Sequence, residues 1–97
     1  MARRYAAKAD ATQAEIVDAL KGAGATVQHL HTVGAGCPDL LVGHRGANLL
    51  LEVKDSTQPP SARRFTPDQK KWHAEWKGRA HLVETVAQAL MIVKGYG

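Results

Sequence analysis

Two apolar triplets, Leu40-Leu41-Val42 and Leu49-Leu50-Leu51, stand on either side of the short polar link His44-Arg45-Gly46-Ala47. This pattern constrains the chain more than any other. Each run is too short for a helix of ordinary length, and the link is of hairpin length. Strands are predicted at Asp39 to Gly43 and Asn48 to Lys54. Leu49-Leu50-Leu51 is apolar on both faces of an alternating strand, which marks a central strand covered from both sides. The charges sit at the open end of this hairpin. Pro38-Asp39 precedes the first triplet, and Glu52-Val53-Lys54 follows the second, with twelve residues between Asp39 and Glu52. Antiparallel pairing places Asp39 opposite Glu52.

The remaining elements follow from periodicity and punctuation. Met1 to Ala11 is rich in Ala, Arg and Lys without a sustained apolar face, and is expected as a basic, flexible arm. Thr12-Gln13-Ala14-Glu15 has the T-x-x-E form of a capping box, followed by Ile16, Leu20 and Ala23 at helical spacing and by Gly22 and Gly24 as a stop. Ala25 to Val33 alternates, with Val27, His29, His31 and Val33 on one face, and predicts a strand. Gly34-Ala35-Gly36 breaks it. Asp55 to Phe65, with Pro59-Pro60, reads as a loop of functional length. Thr66-Pro67-Asp68-Gln69 opens a second helix with Thr66 as cap and Pro67 at the first position, ending at Gly78. Ala80 to Val83 reads as a last strand. Thr85-Val86-Ala87-Gln88 opens a third helix with Val86, Leu90 and Val93 at i, i+4 and i+7. The order is α-β-β-β-α-β-α, an α/β domain with a mixed four-stranded sheet flanked by helices over residues 12–97.

Ninety-seven residues make one domain with one modest core. No apolar run approaches the length of a membrane span, and no signal-peptide core follows the basic start. The single cysteine, Cys37, excludes an internal disulfide and suits a reducing cytoplasm. The formal charge is +4, and its distribution is uneven. Between Lys54 and Arg79 seven basic residues face three acids, and Arg3, Arg4 and Lys8 form a second cluster. Such clustering suits a phosphate backbone, with Arg63, Arg64, Lys70 and Lys71 as the expected DNA contacts.

Two carboxylates and an ammonium at one strand end can hold a hard divalent cation against a phosphodiester. Mg²⁺ takes oxygen ligands, lowers the pKa of bound water and offsets charge on phosphorane oxygens. Asp39 and Glu52 supply the carboxylates. Lys54, two residues from Glu52, projects to the same side of its strand, where it can orient a water or steady the pentavalent phosphate. Taken singly, a P-D dipeptide is a common turn start and E-x-K a common surface ladder. Together they end a run that otherwise reads as buried, where unpaired charge is costly.

On Glu15, Gly36-Cys37-Pro38-Asp39, Glu52-Val53-Lys54 and Gln69, the chain resembles the VRR-Nuc branch of the PD-(D/E)XK nuclease superfamily over about Thr12 to Val93. The resemblance implies a restriction-endonuclease-like core and Mg²⁺ or Mn²⁺ as cofactor. It also implies a metal ligand in the Val53 carbonyl, a further acid in Glu15, and in Gln69 a residue positioning Lys54 or substrate. Glu15 and Gln69 also have plain capping-box explanations. Resemblance to the stand-alone phage enzymes points to a homodimer acting in the host cytoplasm on branched DNA such as a four-way (Holliday) junction, in replication, recombination or repair. The rivals are a less selective nicking or flap endonuclease, and a non-catalytic DNA-binding assembly subunit.

Other residues carry weaker signals. Cys37 is most simply a small residue in a turn. His29 and His31 share a strand face without a third partner for zinc. Trp72 and Trp76, four apart on a helix, are expected in the core or at a dimer contact, with base stacking as the alternative.

Overall fold

The computed structural model describes residues 2–96, with side chains from residue 11 onward. Its elements are α1 (Ala2–Gly22), β1 (Thr26–His29), β2 (Leu40–His44), β3 (Ala47–Val53), a short 3₁₀ turn (Pro60–Arg63), α2 (Pro67–Glu75), β4 (Ala80–Val83) and α3 (Val86–Gly95). The expected order of elements holds.

The hairpin forms as its pattern requires. Arg45 and Gly46 both have positive φ, 48° and 82°, the arrangement of a two-residue turn whose twist matches that of the strands it joins. Leu40 pairs with Leu51 and His44 with Ala47. β1 lies antiparallel on the far side of β2, and β4 lies parallel beside β3. The sheet order is β1-β2-β3-β4, with β3 internal. Leu40, Val42, Leu49, Leu51 and Val83 are buried in one core cluster with Ile16, Val17 and Leu20 of α1 and Ala89 and Val93 of α3.

Three boundaries differ from expectation by more than a residue: those of α1 and β1, and the end of α2, which stops at Glu75 with Trp76 already extended and not at Gly78. The first helix begins at Ala2, so Thr12 lies inside it and caps nothing. Ala, Lys and Arg are strong helix formers, and this composition carries the helix upstream of the apolar face; Met1 lies outside the described residues. At its other end Gly24, with φ 93°, closes α1. Gly24 N–H donates to the Lys21 carbonyl and Ala25 N–H to the Leu20 carbonyl, at 3.0 Å each, which satisfies carbonyls the helix leaves open. The second difference is β1, which stops at His29 instead of Val33. Leu30 N–H still donates to the Asp39 carbonyl at 2.8 Å, but Val33 N–H turns back to the Leu30 carbonyl. An antiparallel return to β2 needs a reversal here, and Val33, 61% exposed, lies in it.

The segment after β3 is more ordered than a plain loop. Asp55 Oδ1 accepts from the Thr57 backbone N–H and hydroxyl, Arg63 pairs with Glu84 at 3.0 Å, and Phe65 stacks on His73 with centroids 4.2 Å apart.

Candidate active site

Ladder pairing brings Asp39 and Glu52 together at the open end of the hairpin. The next step beyond Leu40–Leu51 is Asp39 opposite Glu52. Asp39 Oδ2 accepts a 2.8 Å hydrogen bond from the Val53 backbone N–H, which fixes the carboxylate across the strand end. Glu52 is only 3% exposed. Its Oε2 accepts from Gln69 Nε2 at 3.1 Å and lies 3.8 Å from Lys54 Nζ. Its other oxygen, Oε1, is buried without a hydrogen-bond partner.

Gln69 connects the whole arrangement. Its Oε1 accepts from Lys54 Nζ and from the Thr66 backbone N–H, each at 2.9 Å. Thr66 Oγ1 in turn accepts from Gln69 N–H, completing a capping box at the start of α2. The two readings of Gln69 are therefore one: the residue that closes the helix also holds the lysine and a carboxylate. A helix end has unsatisfied donors that need partners, and here the partner is shared with the site.

Gly36 makes this docking possible, a role the sequence showed only as a strand breaker. A Cβ built at Gly36 would stand 2.3 Å from the Asp68 carbonyl oxygen, and its φ is 83°. Gly34, Ala35 and Gly36 are left-handed in succession, with φ of 75°, 54° and 83°. Ala35 bears a local conformational cost of about 1 kcal/mol for this. The resulting turn presses the Gly36 backbone onto the first turn of α2 and delivers Cys37-Pro38-Asp39 to the hairpin.

Electrostatics mark Glu52 as the strained group. Burial first, and then the nearby Asp39 charge, push its pKa up from 4.5 to about 8 against the opposing pull of Lys54. The Cys37 thiol is pushed up as well, by burial first and then by Glu52 and Asp39. Two acids crowded at one buried point, with one oxygen lacking a partner, need a compensating charge. The two carboxylates are hard oxygen donors and fit a divalent cation of the Mg²⁺ type.

The other predicted residues lie apart. Glu15 is exposed on α1 and lines a cleft of about 490 Å³ with Asp55, Glu84 and Thr85. Among the described residues no three Asp, Glu, His or Cys side chains converge as a metal cage, so Glu15 stands outside the Asp39–Glu52 pair in this state. Arg63 is engaged by Glu84, whereas Arg64, Lys70 and Lys71 are exposed. Trp72 and Trp76 are not core residues; they stack on each other at 4.6 Å with rings 16° apart, and Trp76 is 48% exposed. His29 and His31 sit edge to face at 6.4 Å on the exposed surface.

A mixed four-stranded sheet with flanking helices and two acids plus a lysine at the end of its central hairpin defines a restriction-endonuclease-like α/β core. No family model and no curated protein matches the chain. A solved structure described as a VRR_NUC domain is 25% identical to it, with a TM-score of 0.69, over 93% of this chain and 98% of that one. The chain has the fold of a VRR-Nuc domain, as its motifs indicated. With nearly all of both chains covered, the likeness is one of whole domains and not of an isolated hairpin.

Proposed function

We propose that this domain, residues 12–97 with the basic segment before it, is a metal-dependent DNA endonuclease that hydrolyses phosphodiester bonds. The observation that carries this reading is Glu52. A carboxylate 3% exposed, beside a second carboxylate and with Oε1 unpartnered, is costly for folding alone and serves the binding of a cation.

Asp39, Glu52 and the Val53 carbonyl would hold Mg²⁺ or Mn²⁺, which when bound supplies a lowered water pKa and charge stabilisation at phosphorus. The Asp39 carboxylate is kept in register by the Val53 N–H, so its position does not depend on the ligand. Lys54 is held by Gln69 Oε1 within 2.9 Å. Its ammonium can donate to a water or to a non-bridging phosphate oxygen without leaving the site. Gln69 donates to Glu52 and accepts from Lys54, which holds the carboxylate and the ammonium, 3.8 Å apart, in fixed geometry. Exposed Arg64, Lys70 and Lys71 supply counter-charge along the approaching strand.

We further read the substrate as branched DNA, with a four-way junction first, and the acting species as a homodimer. A domain of this size gains binding surface by pairing, and a two-fold axis presents two sites to two strands. The test is cleavage of labelled junction, flap and linear duplex in Mg²⁺, Mn²⁺ or EDTA, run beside Asp39→Asn. Metal-dependent paired cuts near the branch, lost in the variant, are expected. Equal cutting of all three substrates leaves the less selective nuclease; binding without cutting leaves the non-catalytic subunit.

A further inference from the structure

The Trp72–Trp76 pair has no part in the chemistry above, yet Trp72 stands on the same helix as Gln69 and Trp76 is the extended residue that ends that helix. Trp72 lines a cavity of about 280 Å³ with Ala35, Asp68, Lys71 and Glu75. Asp68, Lys71, Trp72 and Glu75 are at i, i+3, i+4 and i+7, one face of α2. Ala35 belongs to the left-handed turn that leads into Asp39, and the backbone of Asp68 is the surface on which Gly36 rests. The cavity thus shares both its walls with the elements that position Asp39 and Gln69. Trp76 lines a second, smaller cavity with Leu41, Leu50 and Arg79.

We propose that Trp72, backed by Trp76, is a stacking platform for an unpaired nucleobase of the DNA strand next to the scissile phosphate. Three features favour a nucleotide as the occupant. The first is charge complementarity: the stretch from Lys70 to Arg79 exposes four cations, Lys70, Lys71, Lys77 and Arg79, against the one acid Glu75, with Lys71 beside Trp72 and Arg79 beside Trp76, and this excess suits a phosphodiester chain. The second is the cavity lining, an indole beside an ammonium and two carboxylates. An indole offers a flat apolar face, and the polar groups offer a donor and acceptors to a base edge. The third is rigidity. The indole is already stacked at 4.6 Å on its neighbour, so little ordering is needed when a base arrives. Such a platform gives selectivity for branched, gapped or bulged DNA, where bases leave the stack, over continuous duplex. This inference rests on the DNA reading of the site, and is independent of whether the chain cuts.

Both tryptophans of the chain lie in this stack, so fluorescence excited at the red edge, where the two tyrosines do not absorb, reports on it alone. Titrations in EDTA, where no hydrolysis occurs, would compare a continuous duplex with the same duplex carrying a single-base bulge. Quenching by the bulged DNA and little by the duplex is expected. Affinity measured by anisotropy should fall about tenfold for the bulged DNA in Trp72→Leu. It should remain unchanged for the duplex, and Trp72→Phe should recover most of the loss. Circular dichroism melts of both variants separate this from unfolding, and Trp72→Phe keeps the test open if Trp72→Leu does not fold. Equal losses on both DNAs, or none, would overturn the platform. So would a Trp72→Leu or Trp72→Phe protein whose sedimentation changes from dimer to monomer, since the stack would then be a subunit contact. Failure to cleave with the bulge preference intact would defeat the nuclease reading and leave this one standing.

Discussion

Replacing Glu52 by glutamine should stabilise the metal-free protein at alkaline pH while abolishing cleavage. The sign follows from the raised pKa. Glu52 moves from 4.5 to about 8 on folding, so between these values the folded chain holds a proton that the unfolded chain has lost. Stability is full below pH 4.5 and is lost as pH rises towards 8. At about 1.4 kcal/mol per tenfold change in proton affinity, the ceiling is about 5 kcal/mol. Relaxation of the site around the buried charge reduces this to about 1–3 kcal/mol. The glutamine of the Glu52→Gln variant keeps the shape and carries no charge, so its stability profile should lack this decline. Urea unfolding of both proteins in EDTA, from about pH 5 to about pH 8.5, measures the effect as a difference. Saturating Mg²⁺ should then restore the wild type at about pH 8 and leave Glu52→Gln unmoved, because only the wild type gains a bound ion. Parallel profiles in EDTA, or equal stabilisation of both by Mg²⁺, would refute the argument that Lys54 and Gln69 only partly offset the Glu52 charge and that a cation completes it.

Gly36→Ala should cost more than about 2 kcal/mol and lower cleavage further than stability alone explains, since the Cβ meets the Asp68 carbonyl and displaces Gln69; a melt and a single-turnover assay on the same sample check both. Lys54→Met should lower the cleavage rate by about 100-fold or more with DNA affinity nearly intact, measured by single-turnover kinetics beside anisotropy. Thr66→Ala should cost about 1 kcal/mol through the lost cap and slow cleavage only slightly, because the Gln69 N–H loses its Oγ1 acceptor while the Gln69 side chain keeps the backbone N–H of residue 66; unfolding and rate data measured together check this. Arg63→Ala should change stability by no more than about 1 kcal/mol, as its ion pair with Glu84 is partly exposed, and its effect on DNA affinity should be smaller than that of Lys71→Ala.

The sequence by itself determined the hairpin and its chemistry. Alternation in a strand is local, so Leu40 to Val42 and Leu49 to Leu51 fixed which residues pair and placed Asp39 opposite Glu52 without reference to the remaining chain. The caps of α2 and α3 were equally local, since Thr66 and Thr85 act within three residues. What lay beyond the sequence were the long-range decisions. Composition alone does not say where α1 begins, because the basic Ala-rich segment suits a helix and an arm alike. The alternating run from Ala25 to Val33 did not reveal the reversal that ends β1 at His29, which is imposed by the return to β2. Trp72 and Trp76 have the spacing of core residues, and only packing decided that they stack at the surface. Tertiary structure also gave Gln69 its second function. Its capping partner is three residues away, but Glu52 and Lys54 reach it only when Gly36 lets α2 close upon the sheet. Local patterns fix local geometry; the contacts that assemble a buried charge with its partners form only when distant segments share one core.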